Sequence, residues 1–212
     1  MFNLTPAEVF ANIVVLIVAF TVHELAHAVV ADYLGDSTPR LHGRLTLNPL
    51  AHLDPLGSLL LLVAGFGWAK PVPINPAALR RRTPAGVMLV SIAGPLSNLV
   101  MAFLAAIPFR LGLLYPSLPR GLFPNLSQVS TQFILINLVL FLFNLIPVAP
   151  LDGDKILPYF LPPQWEWRFE NLRPYGPVIL LVLVFVAPML GLDVLGLVVF
   201  RPAVSLFHLF VG

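Results

Sequence analysis

Residues 83–109 read TPAGVMLVSIAGPLSNLVMAFLAAIPF and contain no charged side chain over 27 positions. The hydrocarbon core of a bilayer is about 30 Å thick and is crossed by roughly 20 helical residues, so this run is long enough to span it. Residues 121–151 form a second uncharged run of 31 positions, and residues 174–192 form a third of 19. Uncharged runs of this length predict transmembrane helices.

The composition of the whole chain supports the same interpretation. Of 212 residues, 58% are apolar and only 22 are charged (12 basic and 10 acidic), and the mean hydropathy is +0.90. A soluble domain has roughly 45–50% apolar and about 25% charged residues. These values exclude a soluble enzyme and a disordered chain, and the lack of cysteine excludes a disulfide scaffold. The net charge of +2 gives no reason to expect a nucleic-acid partner.

The segments outside these runs complete the predicted fold. A further helix is expected from Thr5, a suitable N-cap followed by proline, to Gly35, a suitable stop. Residues 55–69 are uncharged but too short to span, which favours a re-entrant segment, and the alternation in residues 38–47 is compatible with a small β-hairpin. The sequence therefore predicts an all-α integral membrane protein, a multi-pass helical bundle with about 4–6 membrane segments. We expect residues 1–212 to form a single membrane-embedded domain.

Basic residues predict the orientation of this bundle. If the helices alternate, one side of the membrane holds nine basic residues and the other holds two, with Arg201 unassigned. Loops rich in Lys and Arg stay in the cytoplasm, so the side with nine is expected to be cytoplasmic. The nine are Arg40, Arg44, Lys70, Arg80, Arg81, Arg82, Lys155, Arg168 and Arg173, and the two are Arg110 and Arg120.

Residues 23–27 read HELAH and place three ionisable side chains inside the first predicted helix. Residues four apart lie on one helix face, so His23 and His27 can reach one metal ion. Glu24 is displaced from that face by about 100° and can hold a metal-bound water instead. Zinc lowers the pKa of such a water toward about 7 and polarises a carbonyl, while the glutamate takes the proton. Ionisable groups inside a membrane are costly and usually functional.

Catalytic zinc usually has three protein ligands and one open position, so a third ligand is needed. Asp152 is favoured because it follows a different span in a Pro-Leu-Asp-Gly turn at the same predicted membrane face, although a helix-end turn residue is the alternative interpretation. The full set of candidates is Asp32, Asp36, His42, His52, Asp54, Asp152 and Asp154.

Three motifs together resemble the site-2 protease family of intramembrane zinc metalloproteases. They are HELAH at residues 23–27, GPLSN at residues 94–98, and NLIP at residues 144–147 continuing to LDG at residues 151–153. Their order and spacing are similar to the family's three-helix catalytic core, here about residues 8–155. Residues 65–76, GFGWAKPVPINP, resemble a compact prokaryotic branch of the family.

The resemblance implies a site and a substrate class. It implies that His23, His27 and Asp152 bind one zinc ion, that Glu24 is the catalytic acid/base, and that Asn144 lies near the site and contacts the substrate backbone or oxyanion. The implied reaction is hydrolysis of a peptide bond in or near a transmembrane helix of another membrane protein. Larger members carry PDZ-like or nucleotide-sensing modules, and we expect neither here. Residues 174–212 are expected to add C-terminal membrane segments without an assigned motif.

Two other functions remain open from the sequence. A transporter or channel could use intramembrane His and Glu side chains to handle metal ions or protons, although no polar trail leads to the opposite face. A family member that has lost activity could act as a scaffold, but the intact Glu24 argues against that. For His52 and Asp54, a locally hydrogen-bonded loop is favoured over a role near the site. For Asn98, helix–helix hydrogen bonding and a site role are equally open.

Overall fold

The computed structural model describes residues 6–54, 57, 69–115 and 124–212. The α-helices are α1 (Pro6–Tyr33), α2 (Thr38–Leu41), α3 (Pro76–Arg82), α4 (Gly86–Arg110), α5 (Leu126–Asn144), α6 (Gly153–Ile156), α7 (Pro163–Leu172), α8 (Gly176–Leu181), α9 (Ala187–Met189) and α10 (Arg201–Val211). Short 3-10 turns occupy Pro49–Ala51, Leu157–Phe160 and Arg173–Tyr175, and π-helical turns occupy Val182–Val186 and Gly196–Phe200.

Among the residues that the structure describes, four helical segments are long and apolar enough to cross a membrane. They are Val9–Tyr33, Gly86–Arg110, Leu126–Asn144 and Pro163–Met189. The last joins α7 to α9, so it begins before the uncharged run that predicted it. The prediction of an all-α, multi-pass membrane fold is confirmed.

The predicted β-hairpin at residues 38–47 is wrong. Thr38–Leu41 is the short helix α2, which has a proline in its first turn, where the missing N–H removes no helical hydrogen bond. The Asp36 carboxylate stabilises this turn by accepting from the N–H (3.0 Å) and the hydroxyl (2.5 Å) of Thr38. Within the described part of the chain, the one β-type pairing is an isolated bridge between Leu53 and Ala69. The predicted re-entrant segment at 55–69 lies outside the described residues except for Gly57 and Ala69.

Helix α4 is the centre of the bundle. It packs against both α1 and α5, and α1 also contacts α5. Small buried residues on α4, Ala102 and Ala106, let Ile134 and Leu138 of α5 approach closely. Close packing of these three helices brings motifs that are far apart in sequence to one level of the bundle.

The C-terminal residues cover the same core from another side. Helix α10 contacts α4 and α5, and its Ala203 is buried within their apolar cluster. Phe210 packs edge-on against Phe103 of α4, with ring centroids 5.5 Å apart. The last helix is therefore part of the bundle.

Candidate metal centre

Helix α1 presents both histidines to the inside of the bundle. His23 and His27 lie one turn apart, and their Nε2 atoms are 3.1 Å from each other. Both side chains are buried, and their rings meet edge to face at an interplanar angle of 85°. The i, i+4 spacing that predicted a shared face therefore gives two nitrogen donors aimed at one point.

The turn after α5 supplies an oxygen donor at the same point. The Asp152 Oδ2 atom lies 3.1 Å from Nε2 of His23 and 3.3 Å from Nε2 of His27. The next residue is Gly153, where a Cβ would come closer than 3.0 Å to the backbone carbonyls of Leu145 and Ile146. Only glycine lets the chain fold back so tightly, and this turn holds Asp152 against the two histidines.

Acceptors on α4 orient both imidazole rings. The Nδ1 atom of His27 lies 2.7 Å from the Val90 carbonyl oxygen, and Nδ1 of His23 lies 2.5 Å from Oδ1 of Asn98. A carbonyl oxygen can only accept, so Nδ1 of His27 carries a proton. In the neutral ring, the form that binds a metal, the lone pair is therefore on Nε2. Metal-binding histidines commonly donate their second ring N–H to such an acceptor.

Gly94 of α4 lies directly against the two rings. A Cβ at this position would come closer than 3.0 Å to the Nε2 atoms of both histidines. The GPLSN motif therefore provides both the space that the rings occupy, at Gly94, and a hydrogen-bond partner, at Asn98.

The three donors open onto a cavity of about 390 Å³ between α1, α4 and α5. Glu24, which is buried, and Asn144, which is partly exposed, both line it. The Nδ2 atom of Asn144 donates to the Leu140 carbonyl (3.0 Å). The segment after Ala69 forms another wall through Val72 and Ile74. The cavity thus combines candidate ligands, a carboxylate, an amide and apolar surface.

The charge of Asp152 is matched to its surroundings. Burial acts to raise the pKa of its carboxyl, but the charges and hydrogen bonds of His27 and His23 outweigh burial and hold this pKa well below its usual range. Asp152 is therefore a carboxylate at neutral pH, the form in which it can bind a cation.

Asp152 is the only third-ligand candidate that lies with the two histidines in the described structure. One ligand atom from each of these three residues lies within 4.8 Å of the other two. The other six candidates have partners elsewhere. Asp32 and Asp154 form ion pairs with Arg40 and Arg173, and Asp36 and Asp54 accept from the backbone N–H groups of Asn75 and Gly57. His42 and His52 are hydrogen-bonded to the backbone carbonyls of Thr38 and Thr46. The local hydrogen bonds expected for His52 and Asp54 are present.

Bacterial proteins similar to this chain are named "Putative zinc metalloprotease". YwhC of Bacillus subtilis is 48% identical over 180 residues, which cover 84% of this chain and 80% of YwhC. The chain belongs to this zinc metalloprotease family. A second member, Rip2 of Mycobacterium tuberculosis, is 31% identical over 192 residues, which cover 89% of this chain and 71% of Rip2. No protein-family model and no solved structure matches the chain.

Two features of this zinc metalloprotease bundle were not predicted from its sequence. Asn137 of α5 is fully buried and accepts a hydrogen bond from Nδ2 of Asn98 at 2.8 Å. Arg173 binds the buried carboxylate of Asp154, two residues after the candidate ligand Asp152. The signal for Asn137 is its type, because an amide inside a membrane helix needs a partner, but sequence alone does not identify that partner.

Proposed function

We propose that the protein is an intramembrane zinc endopeptidase of the site-2 protease type, which hydrolyses peptide bonds in or next to transmembrane segments of other proteins. One observation carries the proposal: two histidines, an aspartate and a glutamate line one cavity between helices that are apolar enough to cross a membrane. Membership of a zinc metalloprotease family supports it.

The donor set fits zinc. Zinc binds His nitrogen and carboxylate oxygen at about 2.0–2.2 Å, and in a tetrahedral site this places neighbouring ligand atoms about 3.3 Å apart. The three observed separations, 3.1 Å between the Nε2 atoms and 3.1 and 3.3 Å from them to Asp152 Oδ2, match this spacing. Three protein ligands leave the fourth position of a tetrahedron open, as in catalytic zinc sites.

In this proposal His23, His27 and Asp152 hold the metal, and zinc when bound polarises the substrate carbonyl and makes water more acidic. Glu24 removes a proton from the attacking water and then delivers it to the nitrogen of the departing amine, so that one carboxylate serves as base and then as acid. Its position on α1, one residue from His23, places it at the cavity surface without entering the donor group.

Asn144 is proposed to contact the substrate. Its side chain lines the cavity at the end of α5. An amide here can donate to the carbonyl oxygen as negative charge develops on it, or bond the backbone of the bound peptide.

The wall formed by residues 69–74 is the proposed docking edge for an unwound substrate. Val72 and Ile74, two residues apart, both face the cavity, which is the periodicity of an extended chain. Buried Arg44 donates to the carbonyls of Lys70 (3.1 Å) and Pro71 (3.2 Å) and so anchors the start of this segment. A peptide bond in a helix is shielded by its own hydrogen bonds, so an extended substrate strand beside this segment would expose the scissile bond.

We further propose that the whole chain acts as one membrane-embedded unit in the cell membrane, with the site nearer the cytoplasmic face. The excess of basic residues on the side of the membrane where α1 ends supports this orientation. The partners implied are a transmembrane protein substrate and the lipid bilayer.

The test is cleavage in liposomes that contain the purified protein and a pool of single-span reporter proteins, with new termini identified by mass spectrometry. Wild-type protein is expected to cut some reporters within or next to their spans. Glu24→Gln should retain bound zinc and lose cleavage by about 10²-fold or more, since it removes the acid/base.

The same liposomes separate this proposal from transport. Cleavage by Glu24→Gln at the wild-type rate would overturn the mechanism. Zinc or proton flux across the vesicle wall without any cleavage would overturn the protease function and favour a transporter.

A further inference from the structure

The GPLSN motif contains a buried amide whose role the proposed chemistry leaves unassigned. Asn98 of α4 and Asn137 of α5 are both fully buried between membrane-capable helices. A buried amide without partners is costly, whereas one that is hydrogen-bonded can specify a unique arrangement. These two amides bond to each other and, through Asn98, to a candidate metal ligand.

The orientation of both amides follows from a single backbone group. Nδ2 of Asn137 donates to the Phe133 carbonyl at 2.8 Å, and this carbonyl can only accept. Oδ1 of Asn137 must then face Asn98, which donates to it through Nδ2 at 2.8 Å. Oδ1 of Asn98 is therefore directed at His23.

The chain of bonds ends on the imidazole of His23. Because Oδ1 of Asn98 can only accept, Nδ1 of His23 must carry the proton, and the lone pair of the ring must be on Nε2. Nε2 is the atom that lies 3.1 Å from both Nε2 of His27 and Oδ2 of Asp152. The Val90 carbonyl fixes the tautomer of His27 directly. The tautomer of His23 is fixed through two side-chain amides, those of Asn98 and Asn137.

We infer that Asn98 and Asn137 are positioning residues, which together hold His23 in the tautomer and orientation that bind the metal. This inference rests on the proposed function, because it presumes that His23 is a metal ligand. Removing Asn137 frees Asn98 to turn its NH₂ group toward His23. The ring would then accept at Nδ1 and present Nε2–H to the site, a form that cannot bind a cation.

The experiment measures zinc affinity of the full-length protein in detergent by competition with a chromophoric chelator, without any activity readout. Wild type is compared with Asn98→Leu, Asn137→Leu and Asn98→Asp, and with Asn12→Leu as a matched control. Asn12 is an asparagine on a different helix, α1, and its buried Oδ1 has no hydrogen-bond partner among the described residues.

Both leucine variants are expected to bind zinc about 10–100-fold more weakly, the usual effect of removing an outer-shell partner of a metal ligand. Asn98→Asp loses the donor to Oδ1 of Asn137, but its carboxylate accepts from Nδ1–H of His23 in either orientation, so it should bind zinc more tightly than Asn98→Leu. For the same reason, Asn98→Asp added to Asn137→Leu should bind more tightly than Asn137→Leu alone. Asn12→Leu should bind as wild type does.

The outcomes separate this inference from the proposed function. If wild type binds zinc and Asn137→Leu binds it equally tightly, the positioning role is wrong and the metal site stands. If the double variant Asn98→Asp with Asn137→Leu binds zinc more weakly than each of its two single variants, the amides act through packing alone. That result also overturns the inference. If wild type binds no zinc, the proposed function fails first.

Discussion

At the residue scale, Gly94 is a position where adding one methyl group would disturb the candidate metal ligands His23 and His27. A methyl group here would come closer than 3.0 Å to both Nε2 atoms. On the opposite side of each ring, Nδ1 is hydrogen-bonded to α4, in His27 to the Val90 carbonyl and in His23 to Asn98. The rings therefore have little freedom to move away without losing these hydrogen bonds.

Gly94→Ala is expected to lower zinc affinity about tenfold or more, because the rings must shift out of the donor geometry. The variant should still fold, since alanine favours a helix more than glycine does. Chelator competition measures the affinity, and circular dichroism checks the helix content. Leu96→Val, a change at an exposed position of the same helix, is the control, and equal affinities for all three proteins would contradict the account.

Asp152 gives a second prediction, on pH. Its carboxyl pKa is held below the usual range in the folded protein, so it stabilises the fold above the unfolded pKa of about 3.9, and this stabilisation is lost as the pH falls toward the folded value. In chelator-treated protein, the difference in Tm between wild type and Asp152→Asn should be fully developed above about pH 5 and shrink below about pH 4. A difference that persists unchanged to about pH 3 would show that the carboxylate is not stabilised in this way.

At the element scale, an ion pair between Arg173 and Asp154 connects two segments. Arg173 begins the 3-10 turn after α7, and Asp154 lies in α6, which directly follows Asp152. Three nitrogen–oxygen contacts of 2.8–3.0 Å join the two side chains. Asp154 is 3% exposed, whereas the Arg173 side chain is 40% exposed. Removing the arginine would leave a buried carboxylate without its partner, which is the costly half of such a pair.

Arg173→Ala is therefore expected to destabilise the protein by about 3 kcal/mol, the lower end of the range for a broken buried pair because the arginine is partly solvated. Thermal unfolding measures the loss. Arg173→Met combined with Asp154→Asn should recover most of it, because no buried charge remains. Arg168→Ala, which removes an exposed arginine stacked on Trp165, serves as the control, and an Arg173→Ala protein as stable as this control would contradict the prediction.

The elements also show what the sequence could and could not predict. Uncharged length predicted the long helices, and the i, i+4 spacing predicted that His23 and His27 share a face, because both depend only on local geometry. The alternation at residues 38–47 predicted a hairpin, but Pro39 and the Asp36 side chain favour a helical turn there. The contact between Asn98 and Asn137 joins residues 39 positions apart, and no local pattern encodes such a pairing.

At the scale of the whole molecule, the two ends of α4 should lie on opposite sides of the membrane. Arg81 precedes this helix and Leu113 follows it, and both side chains are exposed. The proposed orientation puts Arg81 in the cytoplasm and Leu113 outside.

Single-cysteine labelling tests this orientation cleanly because the chain has no cysteine. A membrane-impermeant maleimide should label Leu113→Cys in intact cells and label Arg81→Cys only after the cells are opened. The reverse pattern would place the site nearer the outer face and contradict the proposed topology.

The central claim is that His23, His27 and Asp152 together form one zinc site inside the bundle. Its most direct test is the zinc content of purified full-length protein, measured by elemental analysis for wild type and for His23→Ala prepared in the same way. We expect about one zinc ion per chain in wild type and almost none in the variant. Equal zinc content in the two proteins, or none in either after zinc is supplied, would contradict it.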